Sequence, residues 1–70
     1  MNCTTEAKNE LAECRNRDQL FAKLGNLCEA AGYDYDYRRS FGSNARSAAA
    51  QSRNGVAEVI KHAELLEQRL

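Results

Sequence analysis

Apolar residues recur at helical spacing through most of the N-terminal half of the chain. The steps between them are three, four or seven residues, which keeps one side of a helix apolar and predicts an amphipathic helix. The positions are Ala7, Leu11, Cys14, Phe21, Leu24, Cys28 and Ala31. Gly32 then follows, and glycine after the C-cap predicts a Schellman-type end in which Tyr33 folds back toward Cys28.

One polar segment within this stripe leaves two interpretations. A single continuous helix from about Thr5 to Ala31 would keep all the apolar positions in phase. Alternatively, Asn16-Arg17-Asp18-Gln19 has the residue types of an N-terminal cap, and a second helix would begin there. Because the stripe keeps its phase across the segment, the pattern favours one continuous helix, with or without a bend.

A second helical pattern runs from about residue 44 to residue 69. Its apolar or small positions are Ala45, Ala49, Ser52, Val56, Val59, Ile60, Ala63, Leu66 and Leu70, close to a heptad spacing. Ser43 and Asn44 are typical N-cap residues and predict its start. Gly55 costs about 1 kcal/mol against alanine inside a helix, so a break at Asn54–Gly55 is an alternative to one continuous helix.

Two helical patterns of similar length, joined by about 12 residues, predict an all-α fold. We expect an antiparallel helical hairpin forming a single domain over residues 1–70, with three or four helices if either long helix is broken. Pairing Ala31 with Ala45 sets the register of the hairpin. Phe21 then lies opposite Gly55 and Leu24 opposite Ser52, so large side chains would meet small ones.

The composition predicts self-association. Only 12 of the 70 residues are Leu, Ile, Val or Phe, whereas 11 are Ala. A core built largely from alanine stabilises a chain of this size weakly. A hairpin would also leave an apolar edge without a partner, formed by Leu20, Leu27, Ile60 and Leu65. These features predict a homodimer in which coiled-coil-like packing forms a helical bundle.

The sequence lacks the motifs of common enzyme classes. It has no phosphate-binding loop, dinucleotide-binding glycine motif, zinc-protease motif or nucleophile elbow. The single histidine, His62, lies beside the apolar stripe and is expected near the surface. Glu6, Glu10 and Glu13 share one side of the first helix with basic residues between them, which is typical of a solvated face. We expect no enzymatic activity, no metal and no cofactor.

The N-terminal residues and the cysteines bear on the compartment. The start MNCTTEAKNE does not have the basic and then apolar pattern of a secretory signal. No apolar run approaches the length of a membrane span. We therefore expect a cytoplasmic protein without membrane contact, in which Cys3, Cys14 and Cys28 remain thiols.

The connection between the two helical patterns combines aromatic and basic residues. Net charge is zero, yet residues 37–57 contain four arginines and no acidic residue. Tyrosine and arginine are enriched among residues that dominate binding energies at protein interfaces. We therefore predict that another protein binds here. The candidate contact residues are Tyr35, Tyr37, Arg38, Arg39, Phe41 and Arg46.

The predicted shape is similar to that of small dimeric hairpin proteins and of compact helical inhibitors encoded by mobile elements. No motif matches such proteins residue by residue, so no residue role is carried over. The similarity in shape leads to the hypothesis of an inhibitor or regulator that acts by binding.

The same cluster supports an alternative ligand, a phosphate-bearing molecule such as a nucleotide, a signalling dinucleotide or RNA. Arginines bind phosphate through paired hydrogen bonds, and tyrosine rings stack on bases. The start of the second helix would add free backbone N–H groups. Asp34 and Asp36 in the same connection disfavour a long nucleic-acid track. A protein partner is therefore the favoured interpretation.

Overall fold

The computed structural model describes the backbone of residues 3–70 and the side chains of residues 4–70. This part of the chain folds into four helices and contains no strand. The helices are α1 (Cys3–Ala12), α2 (Arg17–Ala30), α3 (Phe41–Ala50) and α4 (Asn54–Glu67). The all-α prediction is confirmed. The preference for two long helices is wrong, because each of the two helical patterns is interrupted once.

The first interruption lies at the polar segment before α2. The side chain of Asn16 accepts a hydrogen bond from the backbone N–H of Gln19 at 2.8 Å. In return, the Gln19 side chain accepts one from the backbone N–H of Arg15 at 2.9 Å. This exchange resembles a capping box, which satisfies N–H groups that a helix start leaves free. The capped second helix is therefore confirmed, and the continuous helix is not.

The predicted end of α2 is confirmed in detail. Gly32 has a φ of +82°, a left-handed conformation that glycine adopts without steric cost. The backbone N–H of Tyr33 donates to the Cys28 carbonyl at 2.8 Å, and that of Gly32 donates to the Glu29 carbonyl at 3.0 Å. These two bonds define a Schellman motif. They turn the chain sharply into the connection that precedes α3.

α3 begins earlier than the sequence pattern predicts. Ser40 is the N-cap, and its side chain accepts a hydrogen bond from the Ser43 backbone N–H at 3.1 Å. The predicted caps, Ser43 and Asn44, therefore lie inside the first turns of the helix. Asn44 is completely buried, which a capping residue at the surface would not be.

The second interruption lies a few residues before Asn54–Gly55. Ser52 has a φ of +63°, and the Arg53 backbone N–H donates to the Ala48 carbonyl at 2.8 Å. This is a second Schellman motif, with serine at the position that glycine usually occupies. Gly55 lies in the first turn of α4, where a Cβ atom would meet the Thr4 hydroxyl at 3.2 Å. The register that paired Phe21 with Gly55 is therefore not observed.

The core is arranged around α4, which packs against each of the other three helices. The largest fully buried side chains are Leu11, Leu20, Leu24, Cys28, Asn44 and Ile60. Leu20 and Ile60 were assigned to the edge that a dimer would cover, but a single chain already buries them. Leu27 is partly buried and Leu65 is 58% exposed. The homodimer stays a prediction. Of the four residues predicted to form its edge, only Leu65 is exposed, and Leu27 is exposed in part.

Candidate partner-binding site

The connecting loop, residues 31–40, is anchored by the buried side chain of Asn44. The Asn44 Oδ1 atom accepts hydrogen bonds from the Tyr33 hydroxyl at 2.8 Å and from the Asp36 backbone N–H at 3.0 Å. Its Nδ2 atom donates to the backbone carbonyls of Asp36 at 2.9 Å and Ser40 at 3.0 Å. One side chain therefore fixes the middle and the end of the connecting loop, and buried polar networks of this kind are rigid when fully satisfied.

A tight turn forms the tip of the connecting loop. The Arg39 backbone N–H donates to the Asp36 carbonyl at 3.1 Å, as in a β-turn. The Asp36 carboxylate accepts from the Arg38 backbone N–H at 2.9 Å and from the Arg38 Nε at 3.3 Å. The backbone hydrogen bond, helped by the guanidinium, lowers the pKa of Asp36. Aspartate commonly closes a turn in this way.

The three tyrosines of the connecting loop have different environments. Tyr33 and Tyr35 are buried, whereas Tyr37 is 59% exposed. Burial, followed by the proximity of Cys28, raises the pKa of Tyr35 to about 12. Tyr35 therefore supports the loop from inside, and among the three tyrosines Tyr37 offers the largest surface to a partner.

Tyr37 is held in position by an aromatic cluster. Its ring makes edge contacts with Tyr35 at 5.1 Å and with Phe21 at 6.2 Å between ring centres. Phe21 in turn stacks on Phe41 at 5.4 Å. The Tyr37 hydroxyl donates to the Phe21 carbonyl at 3.3 Å, directly over Gly25, where an added Cβ would collide with it. Such ring pairs favour these geometries, so Tyr37 is exposed but oriented.

The arginines of the candidate site fall into two groups. The Arg38 side chain is 92% exposed, and Arg39 beside it is exposed as well. Both border an open groove of about 730 Å³ that also includes Tyr37, Ser47 of α3 and Gln51, which directly follows α3. Arg46 is exposed on α3 and does not border this groove.

The site therefore brings together Tyr37, Arg38 and Arg39, with Phe41 half-buried beneath the aromatic cluster. Sequence reasoning missed Asn44 as the anchor, and it missed Ser47 and Gln51 as neighbours. A polar Asn44 one step before the apolar stripe residue Ala45 was the available indication.

The described part of the chain has neither a cluster of metal ligands nor a membrane-spanning helix. No group of three or more His, Cys, Asp or Glu side chains among residues 4–70 is arranged to hold a metal ion. None of the four helices is both long and apolar enough to cross a membrane. Cys14 and Cys28 are free thiols.

Comparisons with known proteins give no relative for this chain. No protein-family model, no curated protein and no solved structure matches it.

Proposed function

We propose that this chain is a small non-enzymatic protein-binding module and that the connecting loop contacts its partner. One observation carries the proposal: Asn44 fixes the loop backbone through buried hydrogen bonds while Tyr37 and Arg38 stay exposed at its tip. A loop that is ordered before binding loses less conformational entropy when it binds. A module of this kind acts by covering a surface of its partner, as an inhibitor or regulator does.

The proposed contact surface has one aromatic anchor with basic neighbours. Tyrosine offers a large contact area with few rotatable bonds, so ordering it costs little. Arg38 and Arg39 flank Tyr37 and add hydrogen bonds and charge. Tyr35 and Phe41 support the anchor from below, and Arg46 contributes charge from α3 at the periphery.

The phosphate-ligand hypothesis receives less support from the same contacts. The Arg38 side chain is bonded to the Asp36 carboxylate, and Arg53 donates to the Gly32 carbonyl at 3.1 Å. Asp34 adds a further carboxylate to the groove. A phosphate site requires several arginines that converge and have free donors. Arg38 and Arg53 instead use some of their donors in hydrogen bonds within the chain.

Affinity capture with matched variants tests the proposal. Wild-type protein, Tyr37→Ala and Arg39→Ala would be immobilised and exposed to an extract of the source cells, and captured partners would be identified and titrated. Loss of an anchor of this kind costs about 2 kcal/mol, or about 30-fold in affinity. We expect this loss for Tyr37→Ala and a smaller one for Arg39→Ala.

The control is Arg69→Ala, a change at an exposed residue of the C-terminal segment outside the loop. It should bind like wild type. Equal affinity of Tyr37→Ala and wild type for the captured partner would contradict the proposal.

Thermal melts with nucleotides and dinucleotides test the alternative. A ligand that binds the folded state raises the melting temperature by mass action. We expect no shift. A shift that disappears in Arg39→Ala and persists in Tyr37→Ala would favour the phosphate ligand instead.

We further propose that the module is a cytoplasmic homodimer. Leu65 and Leu70 support a dimer because they are 58% and 48% exposed near the end of α4. Light scattering at micromolar concentration should give about twice the 7.8 kDa chain mass. A mass of one chain at every concentration would contradict the dimer without affecting the proposed role of the connecting loop.

A further inference from the structure

A second surface lies between α1, α2 and α4, away from the tip of the connecting loop. It is a groove of about 450 Å³, within the size range of ligand-binding clefts. Its apolar wall and floor are formed by Ala7, Leu27, Cys28, Ala31, Val56 and Val59. Burial raises the pKa of the Cys28 thiol to about 11, so this side chain is neutral at physiological pH and adds to the apolar floor.

Part of this apolar surface remains open to solvent. Leu27 and Val56 are only partly buried, although both pack against the core. Ala7 of α1 and Gly55 of α4, two small residues, also line the groove. An apolar side chain entering from a partner would remove this surface from water, which favours binding.

Among the described side chains, residues 4–70, the charged ones that border the groove are all acidic. They are Glu6 and Glu10, both exposed on α1. Lys8 of the same helix points to α4 instead, where it pairs with Glu58 at 2.7 Å. Lys23 approaches Glu10 at 3.6 Å, with both side chains more than 40% exposed. Lys23 does not line the groove, and an exposed pair of this kind separates at little cost when Glu10 meets another cation. One wall of an apolar groove is therefore negative.

We propose that this groove binds an amphipathic helix of a partner protein, with its apolar stripe on the floor and lysine or arginine residues facing Glu6 and Glu10. Helix-in-groove binding suits an apolar cleft between helices. Residues 3–70 contain no strand whose edge would pair with an extended peptide. The acidic wall selects a basic helix by charge complementarity. This inference is independent of the role proposed for the connecting loop.

Titration of isotope-labelled protein with two designed peptides tests the inference by NMR. One probe is an 18-residue helix of leucine and lysine, and the other has glutamate in place of every lysine. We expect the lysine peptide to shift the amide resonances of Ala7 and Val56 and to bind at least about tenfold more tightly than the glutamate peptide. Binding of both peptides with equal affinity would overturn the proposal, and so would the absence of shifts at the groove.

Matched variants locate the binding site. Glu6→Gln combined with Glu10→Gln should lower the affinity for the lysine peptide about 3- to 10-fold, as loss of two exposed charge pairs does. Glu64→Gln removes an exposed carboxylate outside the groove and should leave affinity unchanged. Equal effects of the two changes would show a nonspecific attraction and overturn the proposal.

Ala30→Lys provides a second variant that preserves the fold. Ala30 is exposed at the last turn of α2 and borders the groove, and a basic residue near a helix C-terminus is favourable. The added charge should repel the lysine peptide and lower its affinity for the groove. Concentration-dependent shifts of Ala7 and Val56 without any peptide would identify a second copy of the chain as the occupant, and would overturn the proposal.

Discussion

Asn44→Ala tests the central structural claim, that one buried amide holds the connecting loop. The substitution deletes four short hydrogen bonds: two accepted from the Tyr33 hydroxyl and the Asp36 N–H, and two donated to backbone carbonyls. It also removes a longer one, at 3.5 Å, to the Arg39 carbonyl. Among residues 4–70, no buried side-chain N or O atom lacks a hydrogen-bond partner. The variant would therefore create unsatisfied polar groups in a region that has none.

The expected cost follows from these four bonds. Each contributes about 1 kcal/mol net, and a buried group left without a partner costs as much or more. We expect Asn44→Ala to lower the free energy of unfolding by about 3–4 kcal/mol. A 70-residue chain has a total stability of about 4–10 kcal/mol, so the variant should lose at least about a third of it.

Urea denaturation followed by circular dichroism measures this change. Tyr33→Phe is the matched variant, because it removes the hydroxyl bond and leaves the Asp36 N–H on the Asn44 amide. It should cost about 1 kcal/mol and remain folded even if Asn44→Ala does not. A loss below about 1 kcal/mol for Asn44→Ala would refute the claim that this network organises the loop.

Three further predictions concern local chemistry. Ser52→Gly should stabilise the fold by about 0.5–1 kcal/mol in the same urea assay, because Ser52 has a φ of +63° that glycine adopts without strain. With Cys3 and Cys14 replaced by serine, Cys28 should react with a maleimide at pH 8 at least about 100-fold more slowly than a free thiol, because its pKa is about 11 and it is buried. The lowered pKa of Asp36 contributes stability above its unfolded pKa of about 4, and this is lost as pH falls through the folded pKa. Asp36→Asn should therefore reduce the loss of stability between about pH 5 and pH 2, and an unchanged acid profile would contradict this.

Helical periodicity predicted the fold class and much of the core. Leu11, Leu24 and Cys28 from the first stripe and Ala45 and Ala63 from the second are all buried. Burial of one helical face depends on the whole fold, so it leaves a regular pattern in the sequence. Phe21 departs from this pattern, since it packs on Phe41 and Tyr37 at the surface instead of in the centre of the core.

The two interruptions could not be predicted from periodicity, because the apolar stripe keeps its phase across both. The first could be recognised from the capping residues Asn16 and Gln19. The second has a serine, Ser52, in the left-handed position, where glycine is the usual indication. The break was predicted at Asn54–Gly55, but Gly55 lies after the turn, where α1 approaches α4 closely.

The candidate site was predicted in composition but not in exposure. The alternation of Tyr33, Tyr35 and Tyr37 predicts a shared face while the chain is extended, and Tyr33 and Tyr35 are indeed both buried. Tyr37 does not share their buried face, because the turn from Asp36 to Arg39 begins just before it and ends the extended conformation. Asn44 resembled a cap because asparagine is common there. Its role depends on contacts with a distant loop, which no local pattern contains.

The end of α2 connects the two proposed surfaces, and this determines how variants should be interpreted. The Cys28 side chain lies in the floor of the groove, and its carbonyl accepts the Tyr33 backbone N–H that begins the connecting loop. The Tyr33 hydroxyl then reaches Asn44. A change at any of these residues should alter both surfaces and the stability together. Only exposed positions outside these networks, such as Arg39 for the loop and Glu6 for the groove, separate a lost contact from a loosened fold. A variant at either position that changes binding at its own surface and leaves the urea midpoint unchanged would therefore identify a direct contact.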